Sequence, residues 1–378
     1  MRLAPFLLDQ WLERFKDADI RYDLASSTGP TWIGNQLLDR LNHDERQRLG
    51  AMAVSYGQAG GSETLRMAIG KLYGVGPEAI VVTAGASEAL HILFADAAAV
   101  GGNVVVPFPT FPPILEMPKA LGLEVRRYPL DADRGFALDI EAVAALIDPA
   151  TRLVLVNSPH NPTGTIVPLP VLRELWQLTQ VRGATLVADE VYWPLAYEGK
   201  LDSAAALPSA IVVGSLSKAM SLSGLRIGWL LARDATLRER YLNAKMYFTI
   251  SNSPLVEAAA EAALARSEQY LAATREQARS NLAELGAFLE SNRELIGCVR
   301  PTGGTTAFPW LRFAADSRPF CEALAREGVL VAPGDCFGMP QHFRLGFGAS
   351  DRFAEGLGVL ERSLQQQAAT SAGIAGTA

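Results

Sequence analysis

Cysteine and histidine are scarce in this chain. Its 378 residues include three cysteines, Cys298, Cys321 and Cys336, and four histidines, His43, His91, His160 and His342. Three scattered thiols cannot build a disulfide framework, and neither set has the spacing of zinc ligands, so reduced thiols and no metal are expected. Long apolar runs are missing too, and none approaches the ~20 residues needed to span a bilayer. Nor is there an excess of positive charge. The formal net charge of −6, from 34 basic and 40 acidic residues, argues against general nucleic-acid binding but leaves room for a basic pocket around one small anion. The N-terminal stretch MRLAPFLLDQWLERFKDADI lacks a basic start, a long apolar core and a small-residue cleavage site. Its charges recur at helical spacing, which predicts a short amphipathic helix and a cytoplasmic protein. Small molecules are the expected partners, with no nucleic acid and no membrane.

What is present fits an ordinary globular chain: 49% hydrophobic and 20% charged residues, with 33 glycines and 22 prolines. The length exceeds what one core usually supports, so a large and a smaller domain are expected. From about residue 78 to 232, strand-like runs such as EAIVVTAG, NVVVPFP, TRLVLVNSP, ATLVADEVY and AIVVGSLSK alternate with helical patterns. That rhythm predicts an α/β fold with parallel strands and crossover helices, whose strand ends gather the polar and glycine-rich segments on one edge. Long helices follow at 234–248, 254–265 and 267–292, then a mixed block with strands near GCVRP, TTAFPWLRF, GVLVAPG and HFRLGFG. We place the large domain at 45–265 and the smaller α+β domain at 1–44 plus 266–378, with QQQAATSAGIAGTA as a frayed tail. The sequence has no internal repeat.

The most informative segment is SLSKAMSLSGLRIGW, residues 215–229. It follows the apolar run AIVVGS, so Lys218 stands where a buried strand ends in small residues. A lysine amine forms Schiff bases with carbonyl compounds, and an aldehyde cofactor with a phosphate tail would be served by Ser215, Ser217 and Arg226. Gly85, Ala86 and Ser87 lie between a strand and an alanine-rich helix, where backbone amides point at an anion; taken alone, the segment also reads as an ordinary turn. Asp189, in VADEVY, closes an apolar strand and would be costly to bury without a cation, unless it only caps a helix. Arg344, between Phe343 and Leu345, is either a partly buried charge or, by alternation, a solvated one.

Between residues 83 and 348 the motifs TAGASEAL, NSPHNPTG, ADEVY, SLSK followed by GLRIGW, and FRLGFG occur in that order. In these motifs the chain resembles the fold type I pyridoxal-phosphate enzymes, specifically the class I/II aminotransferases. A GAS turn alone is weak, whereas NPTG with DEVY and S-x-S-K with its trailing arginine is specific, and together they cover most of the chain. The resemblance implies a large, mostly parallel sheet domain of seven-stranded type between helices, a smaller α+β domain, and pyridoxal 5'-phosphate as cofactor. It implies that Lys218 carries the cofactor as an internal aldimine, and that Gly85, Ala86, Ser87, Ser215, Ser217 and Arg226 hold the phosphate. Asp189 would face the ring nitrogen, Asn161 and Tyr192 the phenolic oxygen, and Phe111 the ring face, here without a hydroxyl. Arg344, with Asn161, would grip the substrate α-carboxylate, and Tyr56 would reach a neighbour's phosphate across a homodimer.

The segment LASSTGPTW departs from the family's usual L-x-x-G-x-P, so Ser27, Gly29 and Trp32 receive no role beyond a place near the pocket. His160 precedes Asn161 in a position without a proton-transfer role in this motif. The expected activity is amino transfer between an amino acid and a 2-oxo acid, with Lys218 as the base at the α-carbon. A β- or γ-eliminating lyase, or a cyclase of the kind that makes capreomycidine, is the close alternative, and PFLLDQWL and DLASSTG resemble that cyclase group. A ligand-sensing regulator is disfavoured, because no helix-turn-helix fits before residue 20. No second arginine is assigned to a distal carboxylate, which disfavours aspartate or glutamate as amino donor. Trp32, Trp193 and Phe111 suggest an apolar wall.

Overall fold

In the computed structural model, which describes residues 2–375, seven strands form one sheet: β1 (Ile80–Thr83), β2 (Asn103–Phe108), β3 (Glu124–Pro129), β4 (Thr151–Asn157), β5 (Thr185–Asp189), β6 (Ile211–Ser215) and β7 (Gly228–Leu231). Their order across the sheet is β1-β7-β6-β5-β4-β2-β3, and β7 alone runs antiparallel to its neighbours. Apart from the edge strand β3, which carries Glu124, Arg126 and Arg127, the strands are apolar on both faces for a physical reason. Val82, Val154, Val156, Leu186 and Val212 enter one core, while Val81, Leu153, Leu155, Val187 and Val213, alternating with them, enter another on the opposite face.

Helices α2 (Glu63–Tyr73) and α5 (Leu169–Arg182) contribute Leu65, Ile69, Leu172 and Leu175 to the first core. Helices α3 (Ala86–Val100), α4 (Pro112–Ala120) and α6 (Ala235–Phe248) contribute Leu90, Leu93, Ile114 and Tyr241 to the second. Helix α7 (Pro254–Leu264) and the 25-residue α8 (Ser267–Ser291) lead away from the sheet, close to the bounds read from the sequence.

The C-terminal block is built on smaller pieces. Its ribbon has β10 (Phe343–Gly346) between β8 (Thr306–Ala307) and β9 (Ala332–Pro333), all antiparallel, flanked by α9 (Arg318–Arg326) and α10 (Phe353–Ala375). The expected frayed tail is corrected here: α10 continues through Ala375, and residues 376–378 lie outside the described residues. Small alanine-rich sequence lacks a hydrophobic period yet keeps high helix propensity, so the helix carries on. The N-terminal arm meets this block. Tyr22–Asp23 pairs in parallel with Val329–Leu330, and α1 (Leu7–Arg14) is pinned by Trp11, whose indole Nε1 donates to Val331 O at 2.8 Å. Among the described residues, no helix is long and apolar enough to cross a membrane.

Candidate active site

Strand register places the site. Asn157 at the end of β4 pairs with Asp189 at the end of β5, and Gly228 at the start of β7 lies between Ser215 of β6 and Thr83 of β1. The C-terminal ends of four strands, the start of β7 and the N-terminus of α3 therefore meet at one sheet edge, where doubly wound folds bind ligands. A cavity of about 230 Å³ opens there. Ser27 and Arg344 border it from the C-terminal block and the segment beside it, and Leu8, Asp9 and Leu12 of α1 close one wall.

One end of the cavity is an anion cradle. Gly85 starts α3 with φ of +85°, leaving the first-turn amides at Ala86 and Ser87 without partners inside the helix. The exposed Arg226 guanidinium stands against this turn, donating to Ala84 O at 3.4 Å and Ser223 O at 3.1 Å. A Cβ on Gly85 would lie 2.4 Å from Arg226 Nη2, and one on Gly228 would lie 2.4 Å from the Gly85 carbonyl carbon. Only glycines allow this approach. Ser215 and Ser217 border the same end, and helix amides, hydroxyls and a guanidinium together suit a phosphate.

The floor carries the charges. Asp189 is 4% exposed, and its carboxylate accepts one hydrogen bond among the described residues, from Val191 N–H at 3.3 Å. Burial pushes its carboxyl up to about 7, against the opposing pull of the Val191 amide and the Lys218 charge. Lys218 is the converse case. Burial, followed by the positive charges of Arg344 and Arg226, brings its ammonium down to about 8, while its Nζ donates to Ser27 Oγ at 2.8 Å. Tyr192 is 1% exposed, and among the described residues its hydroxyl has no hydrogen-bond partner; burial raises its pKa.

Arg344 is buried, which settles the alternation of β10 in favour of an inward charge. Its Nη1 donates to Asn161 Oδ1 at 3.2 Å and its Nη2 to Ala25 O at 2.9 Å, and the guanidinium lies 5.2 Å from the Phe337 ring centre. Its Nε is unpartnered, and no carboxylate pairs with it among the described residues. A buried cation without a counter-ion is costly unless a ligand brings one.

The cavity thus brings together Ala86, Ser87, Phe111, Asn161, Asp189, Tyr192, Ser215, Ser217, Lys218, Arg226 and Arg344. Gly85 adjoins it through Arg226 without lining it. Tyr56 does not reach the cavity of its own chain and is 79% exposed. The apolar wall needs correcting: Trp32 packs on Tyr270 and Trp193 stacks on Tyr73, both away from the cavity, and Leu8 and Leu12 join Phe111 in their place. His160 is buried, pairs through Nδ1 with Thr163 Oγ1 at 2.8 Å, and is held neutral by burial with its pKa near 3.

Sequence reasoning missed Asn157, Asp9 and the contact made by Ser27. Asn157 Oδ1 accepts from Asn161 N–H at 2.7 Å and its Nδ2 donates to Asp189 O at 3.0 Å, so one amide locks two neighbouring loops. Its position as the polar end of an apolar strand, like that of Asp189, was the available signal. Nothing local marks Asp9, which shares an ordinary amphipathic pattern.

These groups fit an aromatic aldehyde phosphate. The cradle could take a dianion, the free carboxylate oxygen of Asp189 a ring N–H⁺, and the Tyr192 hydroxyl, unpartnered among the described residues, a ring oxygen, while the Lys218 amine could meet a carbonyl carbon. Comparison with known proteins agrees. A family model, Aminotransferase class I and II, matches residues 29–356. Capreomycidine synthase from Streptomyces vinaceus is 32% identical over 357 residues, covering 90% of this chain and 88% of its own. Arginine–pyruvate transaminase AruH from Pseudomonas aeruginosa is 30% identical over 305 residues, covering 77% of each. The crystal structure of a PLP-dependent aminotransferase from Streptococcus suis superposes with a TM-score of 0.89 at 29% identity, over 97% of this chain and 99% of the other. With a match of this extent and a cavity of this chemistry, the chain belongs to the class I and II aminotransferase family, whose cofactor is pyridoxal 5'-phosphate.

Proposed function

We propose that the protein transfers an amino group between an amino acid and a 2-oxo acid, and that Lys218, Asp189 and Tyr192 are its catalytic residues. One observation carries the reading: the Lys218 amine shares the cavity with a buried Arg344 that lacks an anionic partner among the described residues. Arg344 offers a planar two-point contact for an α-carboxylate, and the same contact holds the substrate Cα near Lys218 Nζ. Pyridoxal phosphate, when bound, supplies a carbonyl for covalent capture of amines and a ring that withdraws electrons.

The remaining work falls to the chain itself. Arg226, Ser215, Ser217 and the amides of Ala86 and Ser87 fix the phosphate, with Gly85 permitting the approach. Asp189 would keep the ring nitrogen of the bound cofactor protonated, because a carboxylate whose pKa is raised by burial gains from a cation beside it. Tyr192 and Asn161 would hydrogen-bond the phenolic oxygen, and Phe111 would cover the ring. Lys218 removes the proton from the substrate Cα, a task for which an amine titrating near 8 is suited at neutral to mildly alkaline pH. We further propose a homodimer in which Tyr56 contacts the neighbouring phosphate.

A second reading has support of its own. The 32% identity with capreomycidine synthase over 90% of the chain favours elimination or cyclisation at the same centre. Stoichiometry separates the two. Holoenzyme given an amino acid and a 2-oxo acid such as pyruvate should form one new keto acid per new amino acid. Release of ammonia, or a ring-closed amino acid without keto acid, would replace transamination by the second reading. Lys218→Ala should abolish borohydride trapping of the cofactor and lower turnover by at least about 10²-fold.

A further inference from the structure

Proposed assignments for the ionic groups of the cavity leave one charge over. Its cations are Lys218, Arg226 and Arg344, and its anions Asp189 and Asp9. Phosphate takes Arg226, the α-carboxylate takes Arg344, the ring nitrogen takes Asp189, and Lys218 is the reacting amine. Asp9 remains. Asp9 is exposed on its solvent side, its carboxylate makes no hydrogen bond or ion pair among the described residues, and partial desolvation raises its pKa against the pull of Lys218 and Arg344.

Position gives this charge a meaning. Leu8, Asp9 and Leu12 share one face of α1, since residues three and four apart lie side by side on a helix. Asp9 and Leu12 also line the outer depression that contains Glu13, Lys16 and Asp23, so they stand where the cavity meets solvent. Lys16 pairs with Glu13 at 3.2 Å, and the Asp23 carboxylate accepts from Ala25 N–H, Ser26 N–H and the Ser26 hydroxyl, which leaves Asp9 as the carboxylate of this mouth without a partner among the described residues. A substrate held by its carboxylate at Arg344 therefore meets an apolar stretch, from Leu8, Leu12 and Phe111, before Asp9 at the mouth. Trp11 pins this face to the C-terminal block through its bond to Val331 O.

We infer that Asp9 is a specificity-determining residue that selects amino acids with an aliphatic stem and a cationic terminus, an ammonium or a guanidinium. A side-chain carboxylate would face Asp9 with no cation left in the lining to receive it, so acidic substrates are rejected by repulsion as well as by lack of a partner. A neutral stem gains the apolar contact alone. The inference rests on the amino-transfer reading, since it takes Arg344 as the carboxylate anchor.

The test compares L-lysine with L-norleucine, which has the same stem ending in a methyl group. Dissociation constants for the holoenzyme are read from cofactor absorbance and by calorimetry, beside keto-acid formation. The wild type should prefer lysine by roughly tenfold or more, as expected of a hydrogen bond between charged groups at a partly exposed site. Asp9→Asn should bring the ratio close to one, with the loss on the lysine side, and Asp9→Glu should restore much of it. L-glutamate should bind worst to the wild type and improve in Asp9→Asn. Equal affinity of the wild type for lysine and norleucine overturns the inference, as does an Asp9→Asn variant that weakens both alike, which would make Asp9 a part of the closing wall only. Failure of the underlying reading looks different: amino acids of every charge would bind without yielding any keto acid.

Discussion

At the scale of single residues, the site stores unfavourable charge that a ligand relieves. Asp189 is the sharpest instance, a carboxylate 4% exposed and raised to about 7 by burial. Below about pH 4 the carboxyl is protonated in the folded and unfolded chains alike. As pH rises through 7 the unfolded chain has released its proton and the folded chain must bury the charge, so this group's contribution to stability is lost over that window. Cofactor-free Asp189→Asn should therefore be more stable than the cofactor-free wild type at pH 8, by on the order of 2 to 4 kcal/mol, with the gap closing toward pH 5. Urea denaturation across that range measures it. A wild type that equals or exceeds the variant at pH 8 would show that the carboxylate is solvated in place. The same substitution should nearly abolish turnover, because the amide cannot hold the ring nitrogen protonated.

Elements set how far these charges were legible from the chain. The sheet announced itself because its inner strands, buried on both faces, read as continuous apolar runs, and the polar ends Thr83, Asn157, Asp189 and Ser215 marked the ligand edge. Asp189 ends such a run, Lys218 and Asn161 stand just past one, and Arg226 stands just before the next, so short motifs were enough to propose them. Asp9 belongs to a helix whose approach to the cavity depends on contacts more than 300 residues away in sequence, and no local pattern encodes that. Trp32 and Trp193 misled for the same reason: an aromatic beside a motif fills whichever core is nearest. The second block's strands are mostly two residues long, since its ribbon is held by packing rather than by extended pairing. Helix α1 depends on Trp11 in the same way. Trp11→Phe keeps the apolar contact but strands the buried Val331 carbonyl, at a cost of about 1 to 3 kcal/mol. The loosened wall should raise KM for the amino acid more than it lowers kcat, and an unchanged KM would detach α1 from substrate binding.

For the whole molecule, the exposed apolar surface argues for a second copy. Val54, Tyr56, Tyr247 and Ile250 are 89%, 79%, 84% and 50% exposed, and their two segments are tied by a hydrogen bond from Gly57 N–H to Ser251 Oγ. The patch adjoins the anion cradle: Glu88, in the first turn of α3, accepts from both Ala84 N–H and the Thr249 hydroxyl, and Phe248 packs on His91 of the same helix. A partner covering this surface would place its own Tyr56 near the phosphate end of the neighbouring cavity. Hybrid dimers test that crossing. Lys218→Ala lacks the reacting amine, and Tyr56→Ala should weaken cofactor binding by roughly tenfold or more through loss of a hydrogen bond to a charged group. In a dimer of one variant with the other, the chain that retains Lys218 receives the partner's Tyr56, so one complete site forms and about half the wild-type activity per dimer should return at limiting cofactor. If Tyr56 served its own chain, both sites of the hybrid would be defective, and its activity would stay at or below that of the Tyr56→Ala homodimer.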